Sequence, residues 1–380
     1  MIDNTLSTLP ETTVGETGGA LADVRIVEFA GIGPAPFAAM LLADMGADIL
    51  RIDRPGGVDA FSRHVVTRGR RTIVADLKDP VQVKTVVTLL ENADALIEGF
   101  RPGVMERFGL GPEVILNRNR RLIYGRMTGW GQSGPLAKAA GHDLNYIAIT
   151  GALAAIGPRA HPVPPLNLVG DYGGGSLYLI MGLLAGIISA RRTGLGQVVD
   201  CAVCDGAASL MAMFTDLAHQ GRWTEGRQAN LLDGGAPFYR TFLCADGKHV
   251  SVGALEPQFY ALLCSRAGLD GATFDRDDTA DWPALHAKLE AIFRLRTRAE
   301  WCDIFEGSDA CVAPVLTLSE APEHPHLKAR ETFVTVGDVM QPAPAPRFSR
   351  TPSRIRPMPR EDVSLEDALS TWLAQPNQTR

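Results

Sequence analysis

The stretch VRIVEFAGIGPAPFAAMLLADMGADILRID, residues 24–53, decides the fold. An apolar, β-branched run breaks at Gly31 and Gly33, resumes as PAPFAAMLLADMG with helical character, and ends in a second strand-like run, ADILRID. A strand, a helix and a strand in that order form the unit from which parallel sheets are built. Working outward, TIVADL (72–77), DALIEG (94–99) and RLIYGRMTG (121–129) read as further strands, and PVQVKTVVTLLENA (80–93) as a helix between two of them. Such alternation predicts an α/β fold with a parallel, Rossmann-like sheet.

The pattern changes further along. LYLIMGLLAGIISA (177–190) falls short of the roughly 20 apolar residues that a membrane span needs, and it reads as a buried helix. A helical stretch, ASLMAMFTDLAHQ (208–220), follows it. Two strand-like runs joined by ADGK (245–248) predict a hairpin, with helical segments after it to about residue 310. The Pro-rich segment 341–362 is extended by composition, and LEDALSTWLAQ (365–375) closes the chain as a short helix. The expected division is a disordered tail over 1–20, a large nucleotide-fold domain over 21–205, a linker over 206–239, a small α/β domain over 240–328, and a return segment over 329–380 that completes the large domain.

Composition narrows the function. A chain of 380 residues that is 46% hydrophobic can bury a large core. Its formal charge of −6 disfavours a general attraction to nucleic acid or to an anionic membrane, so an anionic ligand must meet a local group of cations. The polar, acidic N-terminus has neither a secretory nor a transit pattern, and NQTR at the C-terminus is no retention or peroxisomal address. A cytoplasmic location is expected. Six scattered cysteines suggest reduced thiols rather than a disulfide framework; Cys201 and Cys204 lack a second pair at zinc spacing, and His324 and His326 lack further ligands. No metal site is expected.

Residues 24–53 also imitate a dinucleotide fingerprint, with Gly31, Gly33, a helix, and Asp53 about twenty residues on. The match is weak. Phe37 or Ala38 stands where a third glycine belongs, and Pro34 and Pro36 remove two amides that a pyrophosphate would use.

Taken together, residues 21–55, LIEGFRPGVMERFGLGPE (96–113), RLIYGRMTGWGQSGPLAKAAGHDLNY (121–146), PPLNLVGDYGGGS (164–176) and LDGGAPFYRTFLCADGKHVSVGALEPQFY (232–260) resemble the family III CoA-transferase (CaiB/BaiF) superfamily. Within it they resemble the racemases of 2-methyl-branched acyl-CoA thioesters. The likeness runs from about residue 21 to about 351.

That resemblance implies a CoA site, an acyl-CoA substrate and no separate cofactor. CoA carries a 3′-phosphate and a diphosphate, and the matching segments supply Arg54, Ala75, Asp76, Leu77 and Lys78, then Gly99, Phe100, Arg101 and Arg107. Without the resemblance these cations would read as solvated surface charge. Racemisation removes the proton beside the thioester carbonyl and returns it to the opposite face, which calls for two bases. His142 and Asp171 match the family's pair. Glu256 matches a carboxylate that orients the histidine, and the resemblance implies that it comes from the second subunit of an interlocked homodimer.

Asp171 precedes the 177–190 helix, where a helix N-terminus favours a charged carboxylate and burial opposes it; a capping role is compatible with that position. Amides around Gly141 to Asp143 are expected to stabilise the enolate oxygen, with Asn145 and Tyr146 in the same substrate-binding segment. Met211 and Met213 suit either an adaptable acyl surface or plain packing. Two other functions stay open: a CoA-transferase with Asp171 as nucleophile, and a non-catalytic acyl-CoA binder.

Overall fold

The computed structural model describes residues 18–56, 65–270, 274–356 and 362–374. Most of the tail expected over 1–20, and the C-terminal NQTR, lie outside the described residues. In chain order the strands are β1 (Arg25–Phe29), β2 (Asp48–Asp53), β3 (Arg71–Val74), β4 (Ala95–Glu98), β5 (Ile123–Thr128), β6 (Gln197–Ala202), β7 (Tyr239–Leu243), β8 (His249–Gly253), β9 (Val312–Pro314), β10 (Phe333–Val336) and β11 (Val339–Pro342). The helices are α1 (Pro34–Asp44), α2 (Pro80–Glu91), α3 (Val104–Arg107), α4 (Pro112–Arg118), α5 (Asp143–Ala148), α6 (Ala152–Ala155) and α7 (Leu177–Thr193). After them come α8 (Val203–Leu210), α9 (Ala212–His219), α10 (Pro257–Ala267), α11 (Trp282–Phe293), α12 (Arg298–Phe305), α13 (Pro325–Ala329) and α14 (Leu365–Ala374).

The chain divides into two compact units, one of Met1–Gly141, Gly170–Gly206 and Phe333–Arg380, the other of His142–Val169 and Ala207–Thr332. Residues 142–169 thus group with the second unit, whereas the sequence reading kept them in the nucleotide fold. Residues 207–239, read as a linker, group there too.

The first unit holds a six-stranded sheet in the order β3-β2-β1-β4-β5-β6, all parallel. Every residue of the central strand β1 is buried, as expected where helices cover both faces of a parallel sheet. On one face Val27, Leu50, Leu96 and Tyr124 pack with Val86 and Leu89 of α2 and with Leu365 and Trp372 of α14, so the C-terminal helix completes this core. β6 was not read from the sequence; it adds the sixth strand beside β5.

Burial is extended to charge here. Glu28, midway along β1, and Arg70 are both inaccessible and pair at 2.7 Å; Arg68 pairs with Asp44 of α1 at 2.6 Å and donates to Gln341 of β11 at 2.7 Å. These pairs tether α1 and β11 to the sheet. Breaking such a buried pair is expensive because the partner's charge stays in the interior.

The apolar segment at 177–190 is longer than its composition suggested. A π-helical stretch, Leu168–Ser176, runs directly into α7, giving 26 continuous helical residues with mean hydropathy 1.6 over their most apolar window. By length and composition it could cross a membrane, but half of that window is buried and α7 packs on β5 and β6.

In the second unit, β7, β8 and β9 form an antiparallel sheet. The ADGK turn joins β7 to β8 as expected, with the Cys244 amide donating to the Lys248 carbonyl and Gly247 at positive φ. An aromatic core of Phe242, Phe293, Trp301 and Phe305 packs beneath it, with ring centroids 4.9 Å apart for Phe242–Phe293 and 5.0 Å for Phe293–Trp301.

Candidate functional site

In the first unit, a cavity of about 770 Å3 opens at the C-terminal ends of β1 to β4. The strand order turns back between β1 and β4, and open α/β sheets bind ligands at such a switch point. Phe29, Ile52, Leu77, Phe100 and Phe108 give the cavity apolar walls, and Arg54 and Lys78 supply cations. Of the CoA-binding residues named from the sequence, Arg54, Ala75, Asp76, Leu77, Lys78 and Phe100 line this one space. Gly99, Arg101 and Arg107 are not among the lining residues; all three are exposed on the segment after β4, which contributes Phe100 and Val104.

That segment is anchored from below. Glu98, at the end of β4, accepts the Phe100 amide at 2.7 Å and the Arg126 Nε at 2.9 Å, while Arg126 also reaches Glu106 at 2.8 Å. Burial pushes the Glu98 carboxyl up to about 7, with the Phe100 amide and Arg126 pulling the other way. On the opposite side of the cavity, the Asp76 carboxylate accepts the Lys78 amide at 2.9 Å and fixes the turn that carries Lys78. Sequence reasoning took Asp53 only as part of an imitation fingerprint and passed over Arg51; both line the cavity.

Asp171 sits in the first turn of the π-helical stretch, a geometry that is rare and frequently found at functional sites. It is therefore inside a continuous helix rather than capping α7. Its carboxylate lies against Gly33, the residue before α1: a Cβ on Gly33 would come 3.1 Å from Asp171 Oδ2, at a φ of +73°. The neighbouring residues lock this arrangement. Tyr172 stacks on Phe37 with centroids 4.1 Å apart, and Ser176 Oγ donates to the Pro34 carbonyl at 2.7 Å.

The glycines of DYGGGS serve this packing. A Cβ on Gly206 of α8 would stand 2.6 Å from the Gly174 carbonyl carbon and closer still to its oxygen, so two backbones meet where no side chain fits. Gly174 and Gly175 thus approach the protein's own elements. The position also explains the failed fingerprint. In a dinucleotide fold the pyrophosphate occupies the N-terminus of the first helix. Here two prolines and the Asp171 carboxylate are already there.

In the second unit, His142 is exposed and precedes α5. Its backbone N–H donates to Asn145 Oδ1 at 3.1 Å, and its carbonyl accepts the Asn145 amide at 2.8 Å. The His142 amide is thereby engaged, which removes it from the expected oxyanion donors and gives Asn145 the task of fixing the chain at His142. Asp143 and Tyr146 are half-buried on α5; Gly141 ends a segment of the first unit.

Glu256 is exposed immediately before α10. The loop carrying it is held by the Ala254 amide on the Phe238 carbonyl at 3.0 Å and by Arg276, which donates to the Leu255 carbonyl. The Arg276 guanidinium lies 4.3 Å from the Phe238 ring centre and 4.9 Å from that of Tyr260. Met211 packs against the cluster of Ile147, Ala152 and Ala207, while Met213 is exposed. Cys201 is buried in β6, where burial pushes its thiol up to about 12. His324 Nδ1 accepts the His326 amide at 3.3 Å, a local cap.

Residues 21–361 match CoA-transferase family III, and the chain belongs to that family. Among curated relatives it is 45% identical over 336 residues to an alpha-methylacyl-CoA racemase of Mus musculus, covering 88% of this chain and 87% of that protein. It is 44% identical over 337 residues to the Homo sapiens alpha-methylacyl-CoA racemase, with 88% of each covered. The succinyl-CoA:glutarate CoA-transferase of Homo sapiens is more distant, at 28% over 365 residues, 89% of this chain and 83% of that one. Among solved structures, a CaiB/BaiF family protein from Brucella suis superposes with a TM-score of 0.78 at 23% identity, covering 94% of this chain and 99% of that chain. That likeness establishes the fold.

Proposed function

We propose that the protein is an isomerase that interconverts (R)- and (S)-2-methylacyl-CoA thioesters. The observation that carries this reading is the 44–45% identity to alpha-methylacyl-CoA racemases along 88% of the chain, against 28% to a CoA-transferase of the same family. Supporting it are His142, Asp171 and Glu256, the residues that match the family's pattern in the sequence reading, and a cavity of nucleotide size lined by Arg54 and Lys78.

Chemically, one base takes the α-proton, the electron pair delocalises onto the thioester oxygen as an enolate, and the conjugate acid of a second base returns a proton to the other face. His142 and Asp171 are assigned these two roles, and Glu256 the orientation of the imidazole. No separate cofactor enters the scheme, since CoA travels with the substrate. The fixed setting of Asp171 by Gly33, Tyr172 and Ser176 suits a group whose reach to the α-carbon must hold within about half an ångström. The working unit is a homodimer in this reading, supported by Leu177, Met181 and Ile188, which leave an apolar row exposed along α7. A cytoplasmic location accompanies it.

Incubation of one enantiomer of a 2-methylacyl-CoA in D2O tests the assignment. Deuterium uptake at Cα together with loss of stereochemical purity, with no acceptor acid present, is the expected result. CoA exchange onto an added carboxylic acid without α-deuteration would identify a transferase with Asp171 as nucleophile. Binding with neither reaction would identify an acyl-CoA carrier.

A further inference from the structure

We propose that Asp53 is a specificity-determining residue for CoA, accepting a hydrogen bond from the ribose 2′-hydroxyl; this rests on the CoA-thioester reading above. A carboxylate lining a cavity that must receive phosphates needs a reason to be there. Asp53 ends β2, the strand next to the switch point, and it lines the 770 Å3 cavity with Arg54 and Lys78. In α/β nucleotide folds this is the place from which an acid meets a ribose hydroxyl.

The group is oriented before any ligand arrives. Its Oδ1 accepts the Arg54 amide at 2.8 Å, and its Oδ2 lies 3.5 Å from Nη2 of Arg51, whose side chain is 5% exposed while that of Asp53 is 20% exposed. Each carboxylate oxygen can accept more than one hydrogen bond, so these contacts leave capacity for a hydroxyl donor. The buried Arg51 charge offsets the carboxylate, so a neighbouring phosphate does not face an uncompensated anion. Asp76, the other acid lining the cavity, holds the Lys78 turn after β3, the edge strand, one strand further from the switch point than β2.

Ligand chemistry narrows the contact. The 3′-phosphate of CoA leaves a single free ribose hydroxyl, at 2′. The N-terminus of α1 is taken by Asp171, which places the nucleotide on the β2 and β3 side, where Asp53 stands. The apolar residues Phe29, Ile52 and Leu77 beside it suit the adenine ring.

Calorimetric titration of the full-length protein with free CoA and with 2′-deoxy-CoA tests this, using the wild type and Asp53→Ala. A hydrogen bond to a charged group corresponds to roughly a ten- to hundredfold preference. The wild type should favour CoA by that factor, and Asp53→Ala should bind both ligands alike, at about the wild-type affinity for the deoxy analogue. Equal wild-type affinity for the two ligands overturns the proposal, and it does so even if the variant fails to fold. An unchanged preference in Asp53→Ala, with both affinities lowered together, overturns it as well, since that is the behaviour of a purely structural residue. Wild-type protein that binds no CoA at all overturns the CoA reading itself along with it.

Discussion

Gly206→Ala probes how the packing of one helix sets the chemistry of another. The added methyl would lie 2.6 Å from the Gly174 carbonyl carbon and 2.8 Å from its Cα, whereas ordinary contact begins near 3.4 Å. Both neighbours are backbone atoms in helical segments, and the Gly174 carbonyl oxygen is nearer still, so no rotamer change relieves the clash, and the π-helical stretch and α8 must part by more than about 1 Å. Overpacking of this kind costs about 1–3 kcal/mol of stability. The displacement falls on the segment carrying Asp171, three residues before Gly174, and a 1 Å misplacement of a reacting group costs roughly a hundredfold in rate. Gly194→Ala supplies the comparison: its φ is +75° with nothing within 4 Å, so it carries the backbone penalty of about 1 kcal/mol while leaving the π-helical stretch alone. The assay is α-deuteration and racemisation of 2-methylacyl-CoA, with thermal unfolding measured on the same samples. We expect kcat/KM to fall about a hundredfold in Gly206→Ala and to stay near wild type in Gly194→Ala. Wild-type kcat/KM in folded Gly206→Ala would refute the coupling of this backbone contact to the position of Asp171.

Arg70→Met should lower the stability of the first unit by about 3–5 kcal/mol in urea unfolding, because Glu28 is left buried without its partner. The paired replacement Glu28→Leu/Arg70→Met should recover much of that loss. In the second unit, Glu320 accepts from Arg298 at 2.7 Å, from Lys248 at 2.9 Å and from the Thr317 amide, which together hold its carboxyl well below the usual carboxylate range. Its contribution to stability is therefore present above the unfolded value of 4.5 and lost as pH falls through the lower folded value. Glu320→Gln should lower stability at pH 7 and flatten the acid limb in melts followed from pH 7 to pH 2. For the proposed pair of bases, His142→Ala and Asp171→Ala should each abolish racemisation, leaving slow α-deuteration of opposite enantiomers. Residual exchange with the same enantiomer preference in both variants would point to one base working with solvent.

The strands β1 to β5, the helices α1, α2 and α14 and the β7–β8 hairpin were legible because each depends on periodicity and turn chemistry within a dozen residues. The family likeness pointed to 54, 75–78 and 99–101 as CoA-binding segments in the same way, as ordered local motifs. Six of these eight residues, Arg54, Ala75, Asp76, Leu77, Lys78 and Phe100, share the cavity wall; Gly99 and Arg101 do not, since a motif fixes neighbours along the chain and not the direction a side chain takes.

What tertiary structure alone decided concerns pairings across long separations. Nothing near Arg70 or Glu28 marks them as a buried pair, 42 residues apart, because the environment of a charge is set by what folds over it. The extension of α7 back to Leu168 was hidden by a glycine-rich run that reads as a loop until packing against Pro34, Val203 and Gly206 fixes its conformation. Likewise, the sequence alone placed Asp171 before a helix and Gly33 in an imitation phosphate loop. Only the fold set the Asp171 carboxylate against Gly33, where an added Cβ would come 3.1 Å from Oδ2, and filled the pyrophosphate position with the protein's own acid, because a contact between residues 138 positions apart leaves no periodic trace in either segment.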